Sequence, residues 1–142
     1  MKFINNYIQE KLVISKNIKP NINKDTTIYK GIHIGFDNEK SIEKFAKYGP
    51  VELNFAYQIL YELIDEFEQY LQGYRMDLSY KSMGMFTFYK EGHLETPLGF
   101  LYFRKDRCSF LESVECPTSD KSLSQRIYDF VNFNPSFYKY TN

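Results

Sequence analysis

The stretch that decides the fold is PVELNFAYQILYELIDEFEQYLQG, residues 50–73. Its apolar side chains recur with the spacing of an α-helix, at positions 56, 59, 60, 63, 64, 67, 70 and 71. Pro50 suits the first turn, where a backbone N–H would lack a partner in any case, and Gly73 supplies a left-handed terminator. The sequence therefore predicts a helix over residues 51–72 with one side buried in the core.

Beyond Gly73 the apolar period changes from that of a helix to the two-residue period of a strand. Met76, Leu78 and Tyr80 alternate with polar residues. Further short strands are predicted within residues 82–90, 97–105 and 108–116. Four consecutive strands with short connections favour an antiparallel meander, because neighbours in sequence usually pair.

The rest of the chain adds one strand and several helices. The β-branched segment 26–36 is predicted to be a strand, and Asp37 or Asn38 is suited to cap a helix that ends near Tyr48. The sequence thus predicts a single α+β domain over residues 1–142: an antiparallel sheet of about four to five strands, with helices packed on it. The terminal elements are a helix and a Lys/Asn-rich arm over residues 1–25, a helix over 122–131 and an aromatic tail over 133–142.

Composition places the chain among ordinary globular proteins. It has 142 residues, 43% apolar and 25% charged, which is enough to bury one core. No apolar run is long enough for a signal peptide or a membrane span, so a cytoplasmic protein without a membrane partner is expected. Cys108 and Cys116 are too few for a disulfide scaffold and are expected to be reduced thiols.

Charge is balanced overall and unevenly distributed along the chain. The net charge is zero, but residues 1–50 carry +4, residues 51–72 carry −5 and residues 73–142 carry +1. A neutral molecule has no long-range field that favours nucleic acid or an anionic membrane. The acidic charge is concentrated on the helix predicted over residues 51–72.

On a helical wheel, the acids of this helix and two tyrosines flank the buried arc and are predicted to face outward. Neighbouring carboxylates three or four residues apart repel each other by ~0.2–0.5 kcal/mol per pair, and acids near a helix C-terminus oppose the macrodipole by ~0.3–1 kcal/mol. Either a base of the same chain (Arg75, Lys81, Arg104 or an N-terminal Lys) or a basic partner should compensate. The predicted partner-binding residues are Tyr57, Tyr61, Glu62, Asp65, Glu66 and Glu68.

An acidic helix face that bears tyrosines, in a small chain without a catalytic motif, resembles the immunity and antitoxin proteins that bind basic toxin nucleases. Phage-encoded inhibitors of nucleic-acid-binding machinery are similar in composition. The resemblance implies a bacterial or phage protein that is not an enzyme, needs no cofactor or metal, and inhibits a basic protein partner by binding it. Charge would steer that encounter, and aromatic rings would supply contact energy.

Catalysis is the first alternative. His33 or His93 could combine with Cys108, Cys116 or a carboxylate, although the chain has no CxxC, HxxxH, GxGxxG or phosphate-binding loop motif. Such pairs can be drawn from any chain with these residue counts, so the sequence favours a protein that is not an enzyme.

Nucleic-acid binding by the Phe/Tyr-rich strand 98–107 is the second alternative. The segment TPLGFLYF, residues 96–103, partly matches the RNA-binding strand of RRM domains at Gly99, Phe100 and Phe103. This alternative requires Phe100 and either Phe103 or Tyr102 to be exposed on one sheet face, beside the basic residues that follow the strand.

Overall fold

The computed structural model describes residues 26–79, 84–105 and 107–133. The α+β fold predicted from the sequence is confirmed, with a mostly antiparallel open sheet and three described helices. The predicted N-terminal helix and arm, residues 1–25, lie outside the described residues, as does the aromatic tail after residue 133. In chain order the elements are β1 (Thr26–Tyr29), β2 (Ile32–Phe36), α1 (Glu39–Tyr48), α2 (Leu53–Phe67), β3 (Tyr74–Ser79), β4 (Met85–Lys90), β5 (Gly99–Phe103), β6 (Cys108–Glu112) and α3 (Lys121–Asn132).

The sheet has six strands, in the order β1-β2-β3-β4-β5-β6, where four to five were predicted. The additional strand arises because segment 26–36 is a hairpin and not one strand. Its two turn residues, Lys30 and Gly31, have φ values of 51° and 83°, the left-handed backbone of a tight hairpin turn. β2 also pairs with β3 in parallel, with α1 and α2 as the crossover, which corrects the prediction of a purely antiparallel sheet.

The helices begin and end close to the predicted positions. Asn38 caps α1, since its Oδ1 accepts a hydrogen bond of 3.1 Å from the backbone N–H of Ser41. Helix α2 is shorter than predicted, because it ends at Phe67 and turns follow it to Gly73. Gly73 has the positive φ, 86°, that was expected of a terminator.

The core lies between the helices and one face of the sheet. Phe45 of α1 packs edge-on against Phe86 and Phe103, with ring centroids 6.5 and 6.1 Å apart. Ile127 and Val131 of α3 belong to the same cluster and are fully buried. Alternate strand residues supply this face: Ile32, Ile34, Met76, Leu78, Phe86, Phe88, Leu101, Phe103, Cys108 and Phe110.

The opposite face of the sheet carries none of the described helices. Ile28 and Leu111, at its two edges, are 57% and 50% exposed. Polar groups occupy its centre, where Arg75 pairs with Asp77 at 3.2 Å and Tyr89 donates a short hydrogen bond to Asp77. We call this surface the open sheet face.

Helix α3 covers the outer edge of β6 through one buried side chain. Asn132 Oδ1 accepts a hydrogen bond of 2.8 Å from the backbone N–H of Phe110, and Asn132 Nδ2 donates one of 3.1 Å to the carbonyl oxygen of Phe110. An edge strand otherwise presents unpaired backbone groups that can join another chain. Asn132 therefore completes the hydrogen bonding of Phe110, the central residue of this edge strand.

Candidate protein-binding surface

The carboxylates of α2 and its C-terminal turn point to two different sides of the helix. Asp65 and Glu68 face the β1–β2 hairpin, where both approach Lys30. Glu66 faces α3 and lines a groove between the two helices. The acids therefore do not form one continuous strip.

On the hairpin side, Lys30 compensates part of the negative charge. Its Nζ lies 2.7 Å from Asp65 Oδ1 and 3.8 Å from Glu68 Oε1. Gln72 holds the turn in place, because its Nε2 donates hydrogen bonds to the carbonyl oxygens of Lys30 and Glu68 at 3.2 and 3.1 Å. The intramolecular alternative, pairing with a Lys of the N-terminal half, is thus confirmed for these two acids. Arg75, another predicted partner, instead pairs with Asp77 of β3 and with Glu91, which follows β4.

Tyr29 of the hairpin shares the same carboxylate. Its hydroxyl donates a hydrogen bond of 2.9 Å to Asp65 Oδ1. Burial, followed by this hydrogen bond, raises the pKa of Tyr29 to about 12. The hydrogen bond to Asp65 is also the largest cause that raises the pKa of Lys30. The hairpin and α2 are therefore joined by a compact polar contact centred on Asp65.

The prediction that Tyr57 and Tyr61 lie outside the buried arc is wrong. Each is only 2% exposed. Tyr61 stacks on Tyr29 at 4.3 Å, and Tyr57 packs edge-on against Phe86 at 6.0 Å. Burial raises the pKa of both phenols above the ordinary value. Both rings stabilise the core, so neither offers contact area to a partner.

Glu62 is likewise less accessible than predicted, at 8% exposed. The burial of Tyr61 has a clear physical reason: Tyr29 of the hairpin stacks on it, so α2 is covered on more than one side. The sheet packs against its apolar stripe and the β1–β2 hairpin packs beside it, and eleven of its fifteen residues are buried. A helical wheel that assumes one buried stripe cannot show this second contact.

The groove between α2 and α3 brings together residues that the sequence left far apart. It has a volume of about 400 Å³, and its lining residues are Glu66, Phe67, Tyr70, Arg126, Asp129 and Phe130. The rings of Phe67 and Phe130 meet edge-on at 5.5 Å and form an apolar base. The guanidinium carbon of Arg126 lies 5.2 Å from the centroid of the Tyr70 ring. We call this feature the α2–α3 groove.

Three residues of the α2–α3 groove were missed as site residues: Tyr70, Arg126 and Asp129. Tyr70 was assigned to the buried stripe, but it is 54% exposed, because the chain has left the helix before it. Arg126 and Asp129 lie three residues apart in a helix that the sequence predicted, so a search of its polar face for charge pairs would have found them. Their proximity to Glu66 arises because α2 and α3 lie side by side, and no local sequence pattern predicts that contact.

The geometry separates most of the groups that the enzymatic alternative needs. His33 lies on the open sheet face, whereas Cys108 is fully buried on the opposite face. His93 lines a small cavity of about 160 Å³ with Lys90 and Asp120. Cys116 lies beside this cavity, but burial raises the pKa of its thiol, which disfavours the reactive thiolate. That the protein is not an enzyme stays a prediction.

The Phe/Tyr-rich strand β5 divides its rings between the two sheet faces. Phe103 is fully buried in the core, so only Tyr102 can join Phe100 in meeting the requirement for exposed rings on one sheet face. Phe100 and Tyr102 are half-buried on the open sheet face, with centroids 6.4 Å apart. Arg104 and Arg107 are exposed in the turn that follows. Nucleic-acid binding by this strand therefore retains two of the three candidate stacking rings, those of Phe100 and Tyr102.

Among the described residues, no helix combines the length and the apolar character needed to cross a bilayer. The same part of the chain has no group of three or more His, Cys, Asp or Glu side chains placed to hold a metal ion. No protein-family model, no curated protein and no solved structure significantly matches this chain.

Proposed function

We propose that this protein is a non-enzymatic binding protein of the immunity or antitoxin type, which inhibits a basic partner by engaging it through α2 and its C-terminal turn. The observation that carries the proposal is the charge left on this surface after folding. Among the described residues, three exposed carboxylates, those of Asp65, Glu66 and Glu68, stand against the ammonium group of Lys30 and leave two negative charges.

The surface proposed for the partner differs from the predicted one. It consists of Asp65, Glu66, Glu68 and Tyr70, which lie on both sides of the C-terminal end of α2 and which we call the acidic face. Lys30 holds Asp65 and Glu68 but leaves their side chains 31% and 47% exposed, so both carboxylates remain accessible to a cation. Tyr70 replaces the two buried tyrosines as the exposed aromatic group. Exposed aromatic rings beside charge are typical of protein interfaces.

The acidic face is energetically unfavourable in the free protein, which supports a role outside the fold. Asp65 and Glu68 are like charges three residues apart, and each lies near the negative end of the α2 dipole. Lys30 offsets only part of this cost, since surface ion pairs contribute ~0–1 kcal/mol. A cationic partner would relieve the remaining repulsion and be drawn to the surface by its field.

The test compares two double variants with the same net charge. Glu66→Gln/Glu68→Gln neutralises the acidic face without disturbing Asp65, and Glu39→Gln/Glu43→Gln removes two exposed acids from α1. A partner recovered by affinity capture should associate more slowly with the first variant and lose most of its salt dependence. The α1 variant should associate as the wild type does. If both variants slow association equally, or if neither slows it, the proposed surface is refuted.

A second candidate function, binding of single-stranded nucleic acid, is favoured by one observation. Phe100 and Tyr102 lie together on the open sheet face, next to an exposed Arg104. Base stacking on aromatic side chains contributes ~1–3 kcal/mol per base. Tyr102→Ala should therefore weaken the binding of a short oligothymidine at least fivefold, whereas Leu111→Ala on the same face should not. No measurable binding by the wild type at low salt would dismiss this candidate.

A further inference from the structure

The α2–α3 groove contains an intramolecular contact between a cation and an aromatic ring. Arg126 projects from α3 and lies 5.2 Å from the ring centroid of Tyr70, a residue of the turn after α2. Both side chains are exposed, so the core does not force them together. The contact therefore reflects the attraction of a guanidinium group for this ring.

The groups around this contact are those that bind guanidinium groups. Glu66 and Asp129 contribute carboxylates, and Tyr70, Phe67 and Phe130 contribute aromatic surface. A planar guanidinium group stacks on an aromatic ring and donates two parallel hydrogen bonds to a carboxylate, whereas an ammonium group acts as a point charge. The groove volume, about 400 Å³, lies in the range of pockets that hold small groups.

Within the described residues, the charges of the groove are not neutralised internally. Arg126 lies over the Tyr70 ring and is not joined by an ion pair to Glu66 or Asp129. Asp129 accepts a hydrogen bond of 3.0 Å from Gln125, which orients its carboxylate and leaves its charge in place. Two carboxylates against one guanidinium group give the groove a net negative charge.

We infer that the α2–α3 groove is a guanidinium site, that an arginine side chain of the basic partner occupies it, and that Arg126 competes with that side chain for Tyr70. The inference rests on the proposed function, because it names the anchor of the basic partner proposed there. In the free protein Arg126 covers part of the site, and binding of the partner's arginine displaces it from the Tyr70 ring.

The experiment uses hexa-arginine and hexa-lysine, two peptides of the same charge, with the full chain and two variants, Tyr70→Leu and Arg126→Gln. Binding is measured by calorimetry at low salt. The matched controls are Tyr48→Leu and Lys47→Gln, because Tyr48 is an exposed tyrosine on α1 with the Nζ of Lys47 5.3 Å from its ring centroid. Circular dichroism checks that each variant retains the wild-type fold.

The wild type should bind hexa-arginine about two to five times more tightly than hexa-lysine, the ratio that corresponds to one exposed cation–π contact. Tyr70→Leu should abolish this preference. Arg126→Gln should increase this preference. Removing a competitor for the ring favours hexa-arginine, whereas the loss of one positive charge favours both peptides equally and does not change their ratio. Neither control should change the ratio.

The outcomes separate the two proposals. A wild type that binds both peptides equally, or a preference that survives Tyr70→Leu, would overturn the guanidinium site and leave the acidic face standing. Equal gains for both peptides on Arg126→Gln would show that Arg126 acts through charge alone, which also overturns the competition. Binding of neither peptide, by the wild type or by Arg126→Gln, would count against the proposed function itself.

Discussion

Asn132→Ala is the substitution that tests the described fold most sharply. The side chain of Asn132 is 9% exposed and hydrogen bonds to both backbone polar groups of Phe110, at 2.8 and 3.1 Å. Alanine removes both hydrogen bonds and adds no replacement. It leaves the N–H and the carbonyl of Phe110 without their partner at the edge of the sheet.

The magnitude follows from these two hydrogen bonds. A buried polar group that loses its partner costs ~1–3 kcal/mol, so the two groups of Phe110 together predict a loss of ~2–6 kcal/mol in the free energy of unfolding. Domains of this size are stable by only ~5–15 kcal/mol. Asn132→Ala should therefore be among the most damaging polar substitutions in the described residues.

Urea unfolding followed by circular dichroism measures this loss. The matched control is Gln125→Ala on the same helix, whose single side-chain hydrogen bond, to Asp129, is exposed. It should cost less than ~0.5 kcal/mol, as surface substitutions usually do. A loss below ~1 kcal/mol for Asn132→Ala, with an unchanged denaturant slope, would refute the reasoning. Water or a shifted strand would then be hydrogen bonding to the backbone N–H and carbonyl of Phe110.

Three further predictions concern α2 and the hairpin beside it. Leu60→Ala should lower the free energy of unfolding by ~2–5 kcal/mol, since Leu60 is fully buried; a calorimetric loss below ~0.5 kcal/mol would show that this side of α2 is not core. Stability should fall as pH rises from 10 through 12, because the pKa of Tyr29 is about 12 in the folded protein, whereas the phenol ionises near pH 10 in the unfolded chain. Thermal melts of Tyr29→Phe should show a smaller fall over that range, and an identical profile would contradict the assignment. Lys30→Gln should cost ~0.2–1 kcal/mol at low salt and almost nothing in 1 M salt; a loss that persists in high salt would contradict its electrostatic origin.

Local patterns were sufficient to predict the main elements. The apolar repeat of residues 56–71 predicted α2, and the two-residue alternation after Gly73 predicted the β3–β6 meander. Of the two predicted caps of α1, Asp37 and Asn38, the structure shows Asn38. These features depend on residues that are close in sequence, within one or two helical turns of each other. Local composition and spacing are therefore sufficient to predict them. The same patterns therefore predicted the α+β class.

The errors arose where distant segments meet. The Lys30–Gly31 turn was hidden because Lys is an unusual residue at a left-handed position, and the segment around it is rich in β-branched residues. Tyr61 was assigned to the surface because the wheel cannot show that Tyr29 stacks on it from another strand. The ion pair between Lys30 and Asp65 depends on the same contact between the hairpin and α2.

The parallel pairing of β2 with β3 has a consequence for the order of folding. Strands β3 to β6 and helix α3 are contiguous in sequence, so their pairings close short loops at little entropic cost. The β1–β2 hairpin reaches β3 only after a crossover that includes both α1 and α2, which is the most non-local pairing in the sheet. Non-local pairings slow folding, because the chain loses entropy before the contact forms. The meander with α3 should therefore become protected from hydrogen exchange first, and the hairpin, with the Asp65 contact that it carries, should dock last.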